Sequence, residues 1–544
     1  MFTLLVRRAD ESIDLTVIRR GSDGCLASAE SRTLEQDELG EAVRQGERDA
    51  TRWVWDDTAR WYPRLLSAGV FVERCVDLRL VHAILRASAF TRGSAIHASP
   101  RGPYDTPQAP AVDGSALFVV EPESLPDALG EFLAQRDAIE ASPERARLEL
   151  LATAESTGAL IAAEMRHAGI PWSASRHDEL LTAALGPRPP AGERPLRLLE
   201  ALAEIRAALG SPDLNPDSPT DLIRALRAAG LQVSSTRQWE LKSLEHPVIE
   251  PLLRYKKMQR LLVANGWTWL DAWVRDGRFR PEYVPAAAAT GRWGTSGGGA
   301  LQLPKAVRGA VVADPGHALV VADASQLEPR ILTALSGDTA MARAGSGDLY
   351  EGIVATGAVA TRSEAKVAML GAMYGATQGD GGRLMPRLTR AFPRAIALVE
   401  DAARVGEAGG VVSTLLGRTS PPPGAGSEEL PPEMGRPDVD RGMRAWGRFT
   451  RNFVVQGTAA EWALCWMGIL RRSLAERYGR GPDAPHLVFF LHDEVVVHSP
   501  EAVAAEVAGL VESAAAEAGR LLFGAAPVRF PVTVATVQAY SEAK

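Results

Sequence analysis

Cysteine is scarce in this 544-residue chain, which has only Cys25, Cys75 and Cys465. So few cysteines exclude a disulfide framework, and their wide separation excludes the ligand spacing of a zinc site. We therefore expect a protein of the reducing cytoplasm. Long apolar runs are lacking too: no stretch of about 18 apolar residues could span a membrane. The N-terminus lacks the charged start and the cleavage site of a secretion signal.

The chain also has little excess charge of either sign. Its 60 basic and 67 acidic side chains leave a net charge of −7. This balance excludes a protein that is basic throughout, but a nucleic-acid partner needs only a local basic surface. The length predicts about three domains. The alternation of strand-like and helical patterns predicts an α/β multidomain protein.

The first 140 residues have the pattern of a small α/β domain. Strand-like runs occur at residues 2–6, 15–18 and 116–120, and residues 52–85 predict strand, helix, strand and helix. The next segment predicts helices. One is expected to begin at Pro143, after the capping residue Ser142, and to end at Gly169.

Two further helices are predicted before residue 271. A short one is capped by Ser218 and begins at Pro219. A long amphipathic one covers residues 246–270 and carries a basic cluster, which consists of Arg254, Lys256, Lys257 and Arg260. This cluster is either a solvated helix face or a face that contacts phosphates.

Two acidic segments far apart in sequence each follow an apolar run. Residues 318–322 predict a buried strand that ends at Asp323, and residues 486–500 predict two buried strands joined at His492, Asp493 and Glu494. If this hairpin pairs beside the first strand, two aspartates meet at one rim of a sheet. Such like charges repel unless a cation lies between them. Mg²⁺ suits this position, because it binds one or two carboxylates together with substrate phosphates. A pair of solvated turn acids is the structural alternative.

A third segment, RSEAKVAMLGAMYG, has a regular spacing of functional side chains. Arg362, Lys366, Leu370 and Tyr374 recur every four residues, which places them on one face of a helix. Two cations at one end and a ring at the other suit a ligand with phosphates and a flat base. A solvated stripe on an ordinary helix is the alternative.

These segments resemble the three signature motifs of family A DNA polymerases, the bacterial polymerase I type. The motifs are DASQLEPR at 323–330, RSEAKVAMLGAMYG at 362–375 and LHDEVVVHS at 491–499. Intervening segments agree in order and spacing: TGRWGTS at 290–296, LQLP at 301–304, LSGD at 335–338, TLLGR at 414–418 and QGTAAE at 456–461. The resemblance extends from about residue 145 to the end. It is strongest to short, actinobacterial-type forms, often described as bifunctional exonuclease/polymerases.

The resemblance implies a right-hand fold with an antiparallel palm sheet and helical fingers and thumb. The polymerase domain would be residues 141–544. Within it, the thumb would be about 145–285, the palm about 286–338 plus 445–544, and the fingers about 339–444. Residues 1–140 would form a degenerate 3′–5′ exonuclease domain of the RNase H-like type.

The resemblance also implies roles for individual residues. Asp323 and Asp493 match the metal-binding pair, supported by Glu494, and Lys366 matches the proton donor to the leaving pyrophosphate. Positions that match nucleotide contacts are Arg362, Lys366, Leu370, Tyr374, Glu328, Gln326 and Tyr350. Among them, Glu328 matches the steric gate against a ribose 2′-OH. Positions that match contacts to the primer terminus or the nascent pair are Arg292, Arg448, Gln456 and His492.

Several positions depart from the family pattern. Ala324 replaces the usual Tyr, Leu370 replaces the usual aromatic ring, and Tyr350 stands where a His often contacts the triphosphate. Pro329 is a further difference. The metal-binding pair and the Arg362/Lys366 pair are retained, so activity is expected to survive.

The exonuclease-like segment lacks several of the acidic residues that the family's exonuclease site has. Asp56 or Asp57 lies near one acidic position of that site. The opening Asp-x-Glu is missing at residues 14–16, and Leu151 and Glu155 replace the closing Tyr-x-x-x-Asp. Two-metal hydrolysis needs such carboxylates, so we expect an inactive domain.

The resulting expectation is a monomeric cytoplasmic DNA polymerase, associated with the nucleoid. It would add dNTPs to a primer–template with two Mg²⁺ ions, for which Mn²⁺ could substitute. A retained exonuclease activity, a single-subunit RNA polymerase and a catalytically weak primer–template binding protein are the alternatives. Glu328 argues against the RNA polymerase.

Overall fold

The computed structural model describes residues 1–21, 26–105, 127–375, 379–424 and 439–543. The chain forms two compact units. The first combines Met1–Ala168, Glu282–Ser296 and Val320–Thr536, and the second combines Gly169–Pro281, Gly297–Leu319 and Val537–Lys544. Every residue to which the family resemblance assigns a role belongs to the first unit, whereas the basic cluster belongs to the second.

The N-terminal part of the first unit is built on a five-stranded mixed sheet with the strand order β3-β2-β1-β4-β5. Its strands are β1 Phe2–Arg7, β2 Ile13–Arg20, β3 Leu26–Leu34, β4 Arg52–Trp55 and β5 Cys75–Asp77. Its helices are α1 Leu39–Arg48, α2 Thr58–Ser67, α3 Leu78–Ala87, α4 Ala95–Ala98, α5 Ala128–Glu140 and α6 Arg145–Ala168. β1, β2 and β3 pair antiparallel, whereas β4 pairs parallel to both β1 and β5.

The order of elements over residues 52–85 is the one that the sequence predicts. Trp53, Val54 and Trp55 in β4 are fully buried, because the strand lies between two others and is covered by helices. Asp57 caps α2 by accepting a hydrogen bond from the Ala59 amide, and Asp77 caps α3 in the same way. The strand-like run 116–120 and Cys25 lie outside the described residues, while Cys75 and Cys465 are buried free thiols.

The second unit is mainly helical. Its helices are α7 Ala174–Leu185, α8 Leu196–Leu209, α9 Pro219–Ala228, α10 Gln238–Lys242, α11 Ile249–Asn265 and α12 Trp267–Trp273. A small three-stranded sheet joins β6 Ile170–Pro171, β7 Val274–Arg275 and β8 Arg278–Phe279. Ser218 caps α9 and Pro219 is its first residue, as predicted. In the basic cluster, Arg254 pairs with Glu204 and Lys256 donates to the Thr236 carbonyl.

Two predicted helix boundaries are wrong. α6 begins at Arg145, two residues late, because the Ser142 hydroxyl accepts a hydrogen bond from the Glu144 amide in a turn that precedes the helix. The predicted helix over 246–270 is two helices, divided at Gly266. A Cβ at Gly266 would lie 2.3 Å from the Leu262 carbonyl oxygen, so the break requires glycine.

The remainder of the first unit contains the candidate site. The strands here are β9 Glu282–Val284, β10 Gly294–Gly297, β11 His317–Ala324, β12 His486–Leu491, β13 Glu494–Pro500 and β14 Val532–Val537. The end residues Gly297, 317–319 and Val537 of these strands belong to the second unit. The helices here are α13 Leu327–Ser336, α14 Thr339–Ala344, α15 Leu349–Ala355, α16 Arg362–Tyr374, α17 Gly379–Ala391, α18 Pro393–Glu407, α19 Val439–Tyr478 and α20 Ala504–Phe523. Four strands form one sheet with the order β12-β13-β11-β14.

The helix α19 is the longest element among the described residues. Its part Gly442–Tyr478 is long and apolar enough to cross a membrane by length and composition, with a mean hydropathy of 1.3 in its most apolar window. However, 78% of that window is buried inside the protein. The same properties are found in the core helix of a soluble protein, so this is weak support for a membrane span.

Candidate functional site

The two aspartates lie at one rim of the four-stranded sheet. Asp323 is the second-last residue of β11, and Asp493 lies in the turn between β12 and β13. β13 is the neighbour of β11, and the Ala324 amide donates a 2.8 Å hydrogen bond to the Asp493 carbonyl. The hairpin therefore pairs beside the strand, as the sequence predicts. Both aspartates are partly exposed, whereas Glu494, the first residue of β13, is buried.

The helix α16 presents the four residues that the spacing predicts. Thr361 caps the helix by accepting a hydrogen bond from the Glu364 amide. Arg362, Lys366, Leu370 and Tyr374 are all exposed, while the alanine and methionine positions between them are buried. Because the opposite side of α16 is buried, the four exposed side chains lie on its one accessible face.

Glu328 joins three separate motifs. It is the second residue of α13, and its carboxylate accepts hydrogen bonds from the Arg292 guanidinium and from the Tyr374 hydroxyl, the latter at 3.1 and 3.4 Å. Tyr374 also has a hydrogen bond with the Gln456 side chain. Burial and the Glu328 charge raise the pKa of Tyr374, so its hydroxyl remains a donor.

Arg292 also acts on the turn that carries Asp493. Burial and the positive charge of Arg292 lower the pKa of His492, which keeps its ring neutral at pH 7. His492 has a φ of 58°, in the left-handed region. The turn that joins the paired residues Leu491 and Glu494 has only two residues, and two-residue hairpins favour a positive φ, so the turn geometry accounts for this conformation.

A second network surrounds Arg362. Its guanidinium donates to the Asp348 carboxylate at 2.8 and 3.3 Å and lies 5.4 Å from the centre of the Tyr350 ring. Burial would raise the pKa of Asp348, but hydrogen bonds from Arg362 and from the Glu351 amide outweigh it and lower that pKa. Tyr350 is buried, and burial raises its pKa. The Gln326 side chain also bonds to Asp348, which brings the first motif into this network.

Gln326 is held in place by Arg330, a residue to which the motif comparison assigns no role. It has a φ of 58°, and its side-chain oxygen accepts from the Leu349 amide at 2.9 Å and from Arg330 at 3.3 Å. Arg330 is buried and donates to the carbonyls of Ser325, Gly345, Gly347 and Arg529. Arg330 and Asp348 were missed because each is a single residue without a periodic pattern.

The helix α19 supplies a row of polar side chains. Arg448, Asn452 and Gln456 are four residues apart and thus on one face. Arg448 is exposed, and a Cβ on Gly375, the residue that caps α16, would lie 2.9 Å from its Cγ. Asn452 was missed, although its spacing could have identified it. Its buried side-chain oxygen has no hydrogen-bond partner among the described residues.

A buried polar cluster lies beneath the loop of Arg292. Arg418 pairs with Glu155 of α6, and Glu461 accepts hydrogen bonds from the Thr414 hydroxyl and, at 3.1 Å, from the Leu416 amide. A Cβ on Gly291 would lie 2.6 Å from Arg418 Nε, and Gly291 has a φ of 83°. The glycine thus lets the loop lie directly on the guanidinium. Burial raises the pKa of Glu461 to about 7.

The departures from the family pattern are accommodated locally. Ala324 is buried, and Pro329 is the third residue of α13, where the missing amide hydrogen would have no helical partner. Leu370 is 36% exposed, so its side chain is accessible on the open face of α16.

The carboxylate set fits a divalent ion that completes its coordination with substrate oxygens. Among the described residues there is no group of three or more histidine, cysteine or acidic side chains that could hold a metal. Asp323 and Asp493 are hard oxygen donors brought to one rim by the strand pairing. Such a pair matches Mg²⁺, which often binds through one or two carboxylates together with phosphates and water.

The acidic residues of the exonuclease comparison are already paired. Both Asp56 oxygens accept hydrogen bonds at 2.6 Å, from Arg60 and from the Trp61 indole. Asp57 caps α2 and lies 3.7 Å from Arg79. Glu155 is fully buried against Arg418. These carboxylates are bound by cations and amides of the protein.

Comparison with known proteins identifies the family. A family model described as DNA polymerase family A matches residues 195–542, well over half of the chain. The chain belongs to DNA polymerase family A. The thermostable DNA polymerase I of Thermus filiformis is 28% identical over 313 residues, which are 51% of this chain and 35% of that protein. DNA polymerase I of Chloroflexus aurantiacus is 27% identical over 312 residues, 51% of this chain and 31% of that protein.

This family A chain spans about one third of the length of those relatives. Among solved structures, it is similar to the POL domain of Pol1 from M. smegmatis in complex with DNA primer-template and dNTP. The TM-score is 0.70 at 19% sequence identity, and the match covers 100% of this chain and 96% of that one. The chain therefore has the fold of a family A polymerase domain.

Proposed function

We propose that this family A chain is a template-directed DNA polymerase, which adds dNTPs to a primer 3′-OH. The observation that carries the proposal is the convergence of five separate segments on one cluster. Glu328 contacts Arg292 and Tyr374, Tyr374 contacts Gln456, and Arg292 acts on His492 beside Asp493. Family membership supports the assignment.

We infer that Asp323 and Asp493 hold two Mg²⁺ ions, for which Mn²⁺ can substitute. When bound, such ions activate the attacking oxygen and stabilise the leaving oxygen of a phosphoryl transfer. Glu494 is buried behind the rim and supports the position of the turn.

The exposed face of α16 would bind the incoming nucleotide. Arg362 and Lys366 contact the triphosphate, and Lys366 gives a proton to the leaving pyrophosphate, a role in which general acids contribute about 10²–10⁴-fold. Arg362 is paired with Asp348, and both side chains are partly exposed. An ion pair of this kind is weak, so a triphosphate can replace Asp348 as the partner of the Arg362 guanidinium. Leu370 and Tyr350 line the path of the base and the phosphates.

Glu328 would act as the sugar gate. Its carboxylate is held from two sides by Arg292 and Tyr374, and its side chain is only 14% exposed. A fixed side chain fills the volume that a 2′-OH would need, whereas a mobile one would move aside. Arg292, Arg448, Gln456 and His492 then face the primer terminus and the nascent pair.

The experiment is extension of a labelled primer by the purified chain and by Asp323→Asn and Asp493→Asn variants. Both variants should lose about a thousandfold or more in rate, because they lose metal-held charge stabilisation worth several kcal/mol, while they still bind the duplex. Asp401→Asn, which alters an exposed carboxylate on α18, is the matched control. Normal extension by either site variant contradicts the assignment.

For residues 1–140 we propose an exonuclease-like domain without proofreading activity. Its mixed sheet, the pairing of Asp56 and Asp57 with protein donors, and the pairing of Glu155 on α6 with Arg418 support this proposal. A 3′-labelled primer should remain intact in Mg²⁺ or Mn²⁺ without dNTPs. Degradation that disappears in an Asp57→Ala variant would establish a retained exonuclease instead.

A further inference from the structure

One of the two cations on the exposed face of α16 has an anionic partner within the protein. Asp348 accepts hydrogen bonds from the Arg362 guanidinium at 2.8 and 3.3 Å. A second carboxylate, that of Glu351, lies 3.9 Å from the same guanidinium. Arg362 is the first residue of α16, and Lys366 lies one turn further along the same face. Asp348 therefore either orients Arg362 for a substrate or competes with the substrate for it.

The position of Asp348 does not depend on Arg362. Its two carboxylate oxygens have separate partners: Oδ2 accepts from Arg362, whereas Oδ1 accepts from the Glu351 amide at 3.0 Å and caps α15. The Gln326 side chain also bonds to this carboxylate, and Gln326 is itself fixed by the Leu349 amide at 2.9 Å. When the guanidinium moves away, the carboxylate keeps these donors. Asp348 is thus a negative charge at a fixed position.

Arg362 can leave this partner at little cost. Its side chain is 50% exposed and that of Asp348 is 35% exposed, and water screens an ion pair that is so accessible. The guanidinium also lies 5.4 Å from the centre of the buried Tyr350 ring, a neutral partner that does not compete with an anion. A chain of phosphates has several negative charges against the single charge of Asp348. It can therefore displace the carboxylate from the guanidinium.

We propose that Asp348 is a positioning residue that competes with phosphate groups for Arg362 and thereby promotes the release of pyrophosphate. This inference rests on the proposed polymerase function. Pyrophosphate keeps phosphate groups of the triphosphate from which it is formed, so Arg362 can hold the product as well as the substrate. A fixed carboxylate beside Arg362 weakens both complexes. The loss of affinity for dNTP is compensated by a faster return of Arg362 to Asp348 when the product leaves.

The test is equilibrium dialysis of labelled dNTP and of labelled pyrophosphate against the whole chain bound to a primer–template. The primer ends in a dideoxynucleotide and Ca²⁺ replaces Mg²⁺, so that neither extension nor its reversal occurs. Asp348→Asn removes the charge but keeps the size and the capping oxygen. The Kd for the matched dNTP and the Kd for pyrophosphate should each fall about three- to fivefold, the range of an exposed ion pair.

Asp127→Asn is the matched control. Asp127 caps α5 by accepting a hydrogen bond from the Gly130 amide at 2.8 Å, in the N-terminal part of the chain. This variant makes the same chemical change at the same helical position without an effect on Arg362. Both Kd values should therefore equal those of the wild type. A fall in this variant as large as in Asp348→Asn would contradict a specific role of Asp348.

The direction of the change separates competition from orientation. A higher Kd in Asp348→Asn would mean that the carboxylate orients Arg362 for the ligand, and it would overturn the proposal, as would an unchanged Kd. Structural damage does not tighten binding, so a lower Kd cannot result from it. Glu351→Gln removes a carboxylate that is 60% exposed and more distant, so it should lower the Kd less than about twofold. An equal fall in both variants would indicate a general effect of charge and refute the role of Asp348.

A double variant tests whether Asp348 acts through Arg362. In an Arg362→Gln background, Asp348→Asn should leave both Kd values unchanged, because the cation for which the carboxylate competes is gone. A three- to fivefold fall in that background as well would contradict the proposal.

Inhibition of primer extension by pyrophosphate tests the effect on the product. The pyrophosphate concentration that halves the rate in Mg²⁺ should be about three- to fivefold lower for Asp348→Asn than for the wild type. Extension by the wild type together with unchanged Kd values in Asp348→Asn would refute the role of Asp348 alone. A wild-type chain that neither extends a primer nor binds dNTP would refute the polymerase proposal and this inference with it.

Discussion

The hydrogen bond between Tyr374 and Glu328 gives a measurable role to a single hydroxyl. If Glu328 is the sugar gate, Tyr374→Phe removes one of the two side chains that hold its carboxylate while leaving Arg292 in place. The ring remains, so stacking and packing are preserved. The variant therefore loosens the gate without removing it.

The size of the effect follows from the exposure of the pair. A hydrogen bond to a charged group contributes about 1.5–3 kcal/mol when it is well buried. Tyr374 is 42% exposed, so water replaces part of the interaction. We therefore take the contribution of this hydrogen bond as about 1 kcal/mol, which corresponds to about a fivefold change in an equilibrium constant. Selection of dNTP over rNTP should fall about fivefold in Tyr374→Phe and roughly a hundredfold in Glu328→Ala, which removes the obstructing side chain.

The assay is single-nucleotide incorporation, with kcat/KM measured for a matched dNTP and its rNTP. Tyr478→Phe is the control, because it removes a similar 3.0 Å tyrosine–glutamate bond, to Glu506, outside the site. If Glu328→Ala leaves the selection of dNTP over rNTP unchanged, the role of Glu328 as the sugar gate is refuted. Selection that collapses in Glu328→Ala but is unaffected in Tyr374→Phe would show that Arg292 alone fixes the carboxylate.

Three other predictions concern the buried cluster and the nucleotide face. Glu461 has a pKa of about 7 in the folded chain against 4.5 for the free side chain. Its ionisation therefore lowers the free energy of unfolding, by at most about 3 kcal/mol, as the pH rises from about 4.5 to 7. Glu461→Gln should thus raise the melting temperature relative to wild type at pH 8 and have little effect at pH 4.5; a pH-independent difference would contradict the assignment. Glu155→Ala should destabilise the chain by about 3–5 kcal/mol in urea unfolding, because it leaves Arg418 buried and unpaired; adding Arg418→Met should recover most of the loss, and no recovery would mean that packing dominates. Leu370→Phe should lower the KM for dNTP about fivefold in steady-state incorporation, because a ring adds stacking of about 1 kcal/mol; an unchanged KM would show that position 370 does not contact the base.

Local patterns predicted the parts of the site that repeat along one element. The four-residue spacing from Arg362 to Tyr374 was sufficient to place these side chains on one helical face, and the apolar runs around Asp323 and Asp493 predicted their strands. The pairing of those strands was an inference from chemistry, since two aspartates with a shared ion need a common rim.

Contacts between isolated residues could not be predicted in this way. Arg418 and Glu155 are 263 positions apart, and neither lies in a periodic pattern that points to the other. Asp348 and Arg330 act through hydrogen bonds with Arg362 and Gln326, and these bonds depend on the tertiary fold. The break at Gly266 was missed because the apolar period continues through it, while the backbone there is extended.

The most direct test of the polymerase proposal is addition of one nucleotide to a primed template of known sequence. With Mg²⁺ and each dNTP in turn, the wild-type chain should extend the primer by one residue only with the dNTP that matches the template base. Changing that base should change the dNTP accepted. Binding of the primer–template without any extension would contradict the proposal and identify a primer–template binding protein instead.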